Sequence, residues 1–573
     1  MIKLKKYLRP YAIYCVVGPI FKLLEAIFEL IIPLVVASII DVGLINKDMD
    51  YVYKMIIIMI VLGSLGYLFS FICQYSAAIA SQGFGTNLRA DLYHHINELS
   101  YEQLNNQSIG SLITRMTNDI NQIEVGIARI IRLAIRAPFL IIGSIIMAMM
   151  IDLKLSIIFI ITAPLLALLI YIIMKCSVPL YKTIQAKLDE IYLTTIENLR
   201  GMRVIKAFSK QKEENKKFRK QSEEHAKASI NVAKIGSLLN PLSYTLINIA
   251  IVFILYYGGI QVNIGVLSQG QIVAFVNYMT QILFALLALT KLIILFTKAS
   301  ASSIRVNEIL EIPIMSSGTK TNIEDNETIV EFKDVNFKYP NAKNNVLSNI
   351  NFTINKNETV GIIGGTGSGK TTIISLILKF YKTSSGTINY YDEPINNYEA
   401  KALRNSISIC PQNAMLINDS IVDNLKIANI DATNDEIQQA LNTALAAEFV
   451  NSYPYNIHTI IEQGGKNLSG GQLQRLCIAR TLLRKTNLYI FDDSFSALDY
   501  NSESIILNNL KKIKSAKLFI TQKVNTISDC DKIIVLDNSR IVGCGTHIQL
   551  LNSCNVYKEI YDSQNLSEVG SND

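Results

Sequence analysis

The sequence predicts a two-part chain, in which an α-helical domain with six membrane spans precedes an α/β domain. Half of the 573 residues are hydrophobic and 18% are charged, whereas soluble chains average about 25% charged residues. Six long apolar stretches lie before residue 300, each near the roughly 20 residues that a helix needs to cross a bilayer. Beyond residue 311, short β-branched runs alternate with helical patterns, which is typical of an α/β domain.

The six apolar stretches favour membrane spans over the buried helices of one large soluble core. The first is longer than the apolar core of a cleaved signal peptide and contains Lys22, Glu25 and Glu29, so it is not expected to be one. Basic residues precede it, and the loop at 258–270 carries no charged residue, so both termini should be cytoplasmic. The polar connections after spans two and four predict long cytoplasmic helical extensions. The stretches are 11–40, 55–80, 130–151, 155–174, 235–257 and 271–296.

A change in composition sets the domain boundaries. We expect a transmembrane domain at 1–310, a polar linker at 311–328 and an α/β domain at 329–573. Strands are predicted at 329–332, 359–363, 488–491, 518–521 and 533–536.

The net charge of +7 is modest, and basic and acidic residues are mixed along the chain, which does not favour nucleic-acid binding. The eight cysteines include no CxxC pair, so neither a zinc site nor a disulfide framework is expected.

The strand at 359–363 is followed by a glycine-rich loop that fits the pattern GxxxxGK[ST] and then by a helix. Backbone N–H groups of such a loop surround phosphates, and the helix N-terminus adds its dipole. Lys370 should reach the β- and γ-phosphates, and the Thr371 hydroxyl should hold Mg²⁺. The predicted nucleotide-binding residues in this loop are Gly364, Gly365, Thr366, Gly367, Ser368, Gly369, Lys370, Thr371 and Thr372.

Two further segments are predicted to contact a nucleotide's phosphates or the bound Mg²⁺. The strand at 488–491 leads into Asp492, a carboxylate placed to hold Mg²⁺. A second glycine turn precedes a helix between these motifs and predicts another anion cradle. One nucleotide does not need two cradles, so the second should act on a nucleotide held by another subunit. Its residues are Ser469, Gly470, Gly471 and Gln472.

Taken together, these motifs resemble those of ATP-binding cassette (ABC) transporters over nearly the whole chain. Segments 110–119 and 197–208 are similar to the two coupling loops of exporter-type members (type IV, B-subfamily-like), which implies a half-transporter that works as a dimer. The resemblance implies that Tyr339 stacks on adenine, that Gln412 touches Mg²⁺ and that segment 459–465 is the X-loop. It also places Ser496 and Asp499 in the D-loop, and Ser469–Gln472 in the signature motif that closes on the partner's ATP.

Two positions depart from the family pattern. The family has a catalytic Glu after the Walker B aspartate, where this chain has Asp493, and a switch His where it has Gln522. We therefore expect this chain's own site to bind ATP and Mg²⁺ but to hydrolyse ATP slowly. The sister half-transporter in a heterodimeric multidrug-type exporter should supply the missing Glu and His, and most of the catalysis.

The resemblance implies ATP-driven export of a hydrophobic or amphipathic drug, lipid or peptide. The composition suggests a bacterial chain, which we expect as a multi-pass protein of the cell membrane. An exporter-fold importer and a regulatory or channel-like ABC protein remain alternatives. Polar residues within spans are candidates for lining the substrate cavity. These candidates are Glu25, Glu29, Asn277 and Gln281, although a pair of Glu25 with Lys22 is the favoured interpretation, and Lys291 and Lys298 are interpreted as snorkelling or coupling residues.

Overall fold

The computed structural model describes residues 2–314, 318–324, 326–340 and 342–569, so residues 315–317 and 325 of the predicted linker lie outside the described residues. Contacts divide the chain into two compact units. The first comprises Met1–Glu98 and Gln107–Pro313, and the second comprises Leu99–Asn106 and Ile314–Asp573. The grouping of Leu99–Asn106 with the second unit departs from the sequence-based boundary, which placed all of 1–310 in one domain.

Six helical segments of the first unit are long and apolar enough to cross a membrane, which confirms the predicted six-span fold class. All but the first extend well beyond the apolar stretch seen in the sequence. The fourth has 48 residues, or roughly 72 Å at 1.5 Å per residue, against a hydrocarbon core of about 30 Å. The segments are Arg9–Leu44, Met49–Glu98, Ile109–Ile151, Leu153–Arg200, Gln211–Asn263 and Gln269–Leu310.

Polar side chains mark several helix starts of this part of the chain. Asp152 caps a helix by accepting a hydrogen bond from the Leu155 N–H at 2.7 Å, and Ser268 and Gln271 form a capping box. The helices are α1 (Ala12–Ser38), α2 (Met49–Glu98), α3 (Tyr101–Asn105), α4 (Ile109–Thr114), α5 (Ile120–Leu133), α6 (Arg136–Ile151), α7 (Leu153–Arg200), α8 (Met202–Ala207), α9 (Gln211–Ser237), α10 (Leu239–Asn263) and α11 (Gln269–Leu310).

Buried polar contacts fix the sixth span against its neighbours. The Asp119 carboxylate accepts hydrogen bonds from Ser302 and from Nε of Arg305, both at 2.9 Å. At the other end of α11, Asp41 accepts from the Gly270 N–H at 2.7 Å. The Asp119 side chain is buried, and a buried carboxylate is unfavourable unless donors such as these compensate its charge. The sixth span is therefore held at both ends.

The second unit contains two sheets. A six-stranded sheet has the order β10-β9-β3-β8-β7-β6, and a four-stranded antiparallel sheet has the order β2-β1-β4-β5. The five predicted strands are confirmed as β1, β3, β7, β8 and β9, while the other five strands were not predicted. The strands are β1 (Thr328–Phe337), β2 (Leu347–Asn355), β3 (Thr359–Gly364), β4 (Ser385–Tyr390), β5 (Glu393–Pro394), β6 (Ile407–Cys410), β7 (Leu488–Asp492), β8 (Ala516–Thr521), β9 (Lys532–Asp537) and β10 (Arg540–Gly545).

Helices and apolar side chains cover both faces of the larger sheet. Phe491 and Phe519 pack into one core and Ile490 and Leu518 into the other, as expected where successive side chains alternate between two buried faces. The remaining helices are α12 (Lys370–Ile377), α13 (Ala400–Asn405), α14 (Ile421–Lys426), α15 (Asn434–Thr443), α16 (Ala447–Ser452), α17 (Gly470–Leu483), α18 (Tyr500–Lys511), α19 (Val524–Ile527), α20 (His547–Ser553) and α21 (Asn555–Val569).

Candidate nucleotide site and membrane cavity

The parallel strands β3, β8 and β7 are neighbours, so their carboxyl ends meet at one edge of the sheet. Ligands of open α/β sheets bind at this edge. A cleft of about 220 Å³ lies there, and it gathers residues from the glycine loop, the Walker B strand and the segment after β8. The predicted residues that line it are Thr366, Gly367, Gly369, Lys370, Thr371, Thr372, Gln412, Asp492, Asp493 and Gln522.

The glycine loop adopts a conformation that its glycines require. Gly367 and Gly369 have φ values of +83° and +102°, which side-chain-bearing residues rarely adopt. A Cβ on Gly369 would also lie 2.6 Å from Cδ2 of Leu347. The Lys370 Nζ donates hydrogen bonds to the carbonyls of Gly364 at 2.7 Å and Gly365 at 2.8 Å. The lysine is thus held inside the loop, where it can exchange these carbonyls for phosphate oxygens.

Asp492 lies at the end of β7 with only 4% of its surface exposed. Burial raises the pKa of Asp492 to about 6, although the neighbouring Thr371 hydroxyl opposes this rise. Burial lowers the pKa of Lys370, against the opposing charges of Asp493 and Asp492. The oxygen atoms of Thr371, Asp492 and Gln412 in one cleft are the donors that Mg²⁺ prefers, so these residues fit that ion.

The two positions that depart from the family pattern lie in this same cleft. Asp493 is half-buried and has a φ of +48°, and its N–H donates to the Ile520 carbonyl at 2.7 Å. Gln522 follows β8 and is exposed, and its backbone carbonyl accepts from Nε2 of Gln564 at 2.6 Å. Both residues line the same cleft as the phosphate-binding elements.

Tyr339 lies beside the cleft rather than in its lining. Its hydroxyl is 3.1 Å from the Thr372 hydroxyl, and its ring packs edge-on against Tyr381 with centroids 5.2 Å apart. An aromatic ring at the start of α12 is suitably placed for contact with a base next to the phosphate loop.

The signature segment is built around the N-terminus of α17. Ser469 and Gln472 form a reciprocal capping box, with distances of 3.3 Å and 2.9 Å. None of the signature residues Ser469, Gly470, Gly471 and Gln472 lines the cleft that holds Lys370. The structure thus separates the two phosphate cradles of this chain.

Gln474, which the sequence analysis did not single out, connects the signature helix to the D-loop. Its Nε2 donates to Ser496 at 3.1 Å, and its Oε1 accepts from the Ala497 N–H at 2.9 Å. Asp499 then caps α18 by accepting from the Ser502 N–H at 3.0 Å. The sequence offers no local signal for this role, because the partners of Gln474 are 22 and 23 residues away.

Comparisons with known proteins agree with this architecture. Residues 15–286 match the family model of the ABC transporter transmembrane region, and residues 347–496 match that of the ABC transporter. The ABC transporter ATP-binding protein YfiB of Bacillus subtilis (strain 168) is 33% identical over 564 residues, covering 98% of both chains. The chain belongs to the ABC transporter family. This ABC transporter has an ATPase domain that binds ATP and couples its hydrolysis to transport.

Two further comparisons define the type of ABC transporter. An ATP-dependent lipid A-core flippase of Pectobacterium atrosepticum is 31% identical over 511 residues, covering 88% of this chain and 87% of that one. A solved bacterial Atm1-family ABC exporter with ATP bound has a TM-score of 0.82 at 22% identity, covering 97% and 98% of the two chains. This ABC transporter is a multi-pass half-transporter with the exporter fold.

The structure pairs most of the polar residues predicted to line the ABC transporter's cavity. The Lys22 ammonium is 2.6 Å from the Glu25 carboxylate, and the Arg136 guanidinium is 2.7 Å from Glu29. Asn277 donates to the Val273 carbonyl of its own helix at 3.0 Å. Glu25 and Glu29 therefore do not present free negative charge. Sequence reasoning missed Arg136, which is 107 residues from its partner.

Gln281 also makes contacts within the helix bundle. Its Nε2 donates to the Glu29 carbonyl at 3.1 Å, and its Oε1 accepts from the Ser144 hydroxyl at 3.3 Å. The amide thus connects the sixth span to the first and third spans, which gives it a role in packing.

Proposed function

We propose that this chain is the subunit with the degenerate nucleotide site in a heterodimeric ABC exporter. Its own site binds ATP and Mg²⁺ but hydrolyses ATP slowly. The observation that carries the proposal is that Asp493 and Gln522 lie in one cleft with the unaltered binding residues Lys370, Thr371 and Asp492. Both catalytic departures thus affect one site.

Side-chain chemistry explains why the departures weaken hydrolysis more than binding. Aspartate is one methylene shorter than glutamate, so its carboxylate is withdrawn by roughly 1.5 Å from an attacking water, and a misplacement of about 1 Å can reduce a rate about 10²-fold. Gln522 is neutral and cannot carry a proton, so it stabilises developing phosphate charge less than a protonated histidine does. Neither change removes a donor from the glycine loop.

The signature motif supports a partner of a different sequence. Its capping box is formed, so this chain can complete a competent site on a sister subunit that supplies Glu and His. A homodimer would contain two impaired sites and no fully competent one. Mg²⁺ held by Thr371, Asp492 and Gln412 would neutralise charge on the phosphates.

The proposed direction of transport is out of the cytoplasm of a bacterial cell, with both termini and the ATPase domain on the cytoplasmic side of the cell membrane. Basic residues before the first span and the uncharged loop at 258–270 support this orientation. The substrate class is hydrophobic or amphipathic, and the relative that is a lipid A-core flippase supports a lipid among the candidate classes.

The experiment that tests this proposal uses the purified heterodimer with the sister half-transporter. Replacing the sister's Walker B glutamate by glutamine should abolish nearly all ATP hydrolysis. Asp493→Asn in this chain should change steady-state turnover less than about twofold, because its site contributes little. Equal losses from the two substitutions would contradict the proposal.

A further inference from the structure

The segment that follows β8, residues 522–527, contains the switch position and is contacted by a side chain of the C-terminal helix α21. The amide of Gln564 makes two hydrogen bonds to the backbone of this switch segment. Its Nε2 donates to the Gln522 carbonyl at 2.6 Å, and its Oε1 accepts from the Val524 N–H at 2.9 Å. The donor and the acceptor of one glutamine thus match a carbonyl and an N–H that are two residues apart.

The switch segment has little regular structure of its own. Its helix, α19, has only four residues, and the side chain of Lys523 does not cap it. Val524 is 1% exposed, and a buried N–H without a partner is unfavourable. Gln564 supplies this partner from 40 residues away in the chain. The start of α19 therefore depends on a contact from α21.

The C-terminal helix is itself well packed, which makes Gln564 a fixed anchor. Tyr557 has no exposed surface, and its hydroxyl lies 2.7 Å from Nδ1 of His547. Tyr557 and Tyr561 pack into the core that also contains Val524. Gln564 follows Tyr557 by seven residues and Tyr561 by three, so the three side chains share one face of α21. The face that packs into the core thus also presents the amide to the switch segment.

A second set of contacts connects the switch segment to α18, the helix after the D-loop. Glu503 is 6% exposed and accepts from the Thr526 hydroxyl, and its carboxylate lies 3.2 Å from the Lys523 ammonium. These contacts hold side chains of the segment. Gln564 instead holds the backbone of Gln522, the residue of the segment that lines the nucleotide cleft.

We propose that Gln564 is a positioning residue for the nucleotide, which fixes the backbone of Gln522 so that the Gln522 side chain meets the γ-phosphate. Gln564 is not among the residues that line the cleft, so it acts through Gln522. Hydrogen bonds form over donor–acceptor distances of roughly 2.7–3.2 Å, so a backbone shift of about 1 Å would break the contact. The inference requires an ATPase domain that binds ATP, and it depends neither on slow hydrolysis nor on a sister subunit.

Nucleotide binding to the full-length chain in mild detergent tests this inference. The probes are ADP and a non-hydrolysable ATP analogue with a β,γ-imido bridge, both with Mg²⁺, and calorimetry gives the Kd values. Gln564→Met replaces the amide by an apolar side chain of similar length. It should lower the preference for the ATP analogue over ADP about fivefold, the scale of one net hydrogen bond.

ADP lacks the γ-phosphate, so its Kd reports whether the Gln564→Met variant is folded. This Kd should change less than about twofold, because the contacts to the other phosphates are retained. An unchanged preference for the ATP analogue would overturn the proposal. Equal losses of affinity for the two nucleotides would also overturn it, since they would indicate a general structural role.

A double-variant cycle shows whether Gln564 acts through Gln522. Gln522→Ala should lower the preference about fivefold, and the addition of Gln564→Met should cause no further loss, because the positioned contact is already absent. Additive losses would overturn the proposal, and so would an unchanged preference in Gln522→Ala. Gln438→Met is the matched control, since the Gln438 amide donates to Asn442 of its own helix, α15. This control should keep the full preference, and an equal loss in it would contradict the proposal.

Hydrogen exchange measures the backbone of the switch segment directly. Gln564→Met should speed amide exchange in residues 522–527 about fivefold, with no change in the glycine loop. Unchanged exchange in the switch segment would overturn the proposal. Neither experiment measures ATP hydrolysis, so failure here is distinct from failure of the degenerate-site proposal.

Discussion

The ATPase domain contains two regions that differ in how fully they retain the family pattern. The glycine loop, Asp492 and the signature turn have the geometry for binding phosphates, with Lys370 enclosed by its loop and Ser469 in a closed capping box. The positions that act on the attacking water and the γ-phosphate hold Asp493 and Gln522 instead of Glu and His. Under the proposed function, the residues that bind the nucleotide are therefore separable from those that act in its hydrolysis.

The largest predicted loss of activity comes from impairing the signature motif while this chain's own cleft stays intact. Gly470→Ala in the heterodimer should reduce ATP turnover roughly 100-fold, because a methyl group would separate the signature from the partner's nucleotide. A Cβ at this position meets only Ala497 at 3.6 Å, so the fold tolerates it. Turnover is measured by phosphate release. Asp493→Asn is the matched control, and a smaller loss from Gly470→Ala than from this control would contradict the account.

The buried Walker B carboxylate gives a prediction about stability and pH. The pKa of Asp492 is raised from 3.8 to about 6, so the folded state binds more protons than the unfolded state between these values. The free energy of unfolding should therefore fall as pH rises from about 4 to 6 and then level off, by about 3 kcal/mol at most. Without Mg²⁺ and nucleotide, Asp492→Asn should raise the melting temperature by several degrees at pH 7.5 and much less at pH 4.5. An equal change at both pH values would contradict the assigned cause.

Restoring the family residues at positions 493 and 522 should increase ATP hydrolysis at this chain's own site. Asp493→Glu with Gln522→His in this chain alone should raise its ATP turnover about tenfold or more, since both groups then reach the reaction centre. Each single substitution should give a smaller gain, and ATP affinity should change little. An unchanged turnover in the double variant would show that other residues limit hydrolysis.

The smallest expected effect concerns the base of the nucleotide. Tyr339→Ala should weaken ATP binding about fivefold, which corresponds to the lower end of the about 1–3 kcal/mol that stacking of a base on an aromatic ring contributes. Tyr339→Phe removes the hydroxyl that contacts Thr372 but retains the ring, so its affinity should be close to that of the unaltered protein. Equilibrium binding of a fluorescent ATP analogue measures both. Similar losses from both variants would argue against stacking.

The sequence was most informative where function depends on adjacent residues. The glycine loop and β3 were predictable because the motif, its strand and its helix are continuous in the chain. β2 was not predicted, since its outward positions hold Ser348, Asn349 and Asn351 and its stability depends on pairing with β1. The short strand β6 likewise depends on its parallel neighbour β7, which lies about 80 residues later.

Dependence on distant partners also limited what the sequence could predict about the charged residues of the spans. Glu29 was a reasonable candidate for the cavity because a carboxylate within a membrane span needs an explanation. Its partner Arg136 comes from another span, and nothing local in the sequence indicates which distant cation will meet it. Arg129 and Arg136 are seven residues apart, yet one lines a cavity and the other closes an ion pair. Helix packing, rather than residue type, decides between these roles.

We propose that this chain's own site binds ATP while hydrolysing it slowly, so affinity and turnover should be measured together. ATP affinity and steady-state turnover are determined on the same sample of this chain, purified alone and reconstituted in lipid vesicles. The account predicts saturable, Mg²⁺-dependent ATP binding that Lys370→Ala abolishes, with turnover at least about 100-fold below the roughly 10 s⁻¹ of a typical enzyme. Turnover near that typical value, with no sister subunit present, would contradict it.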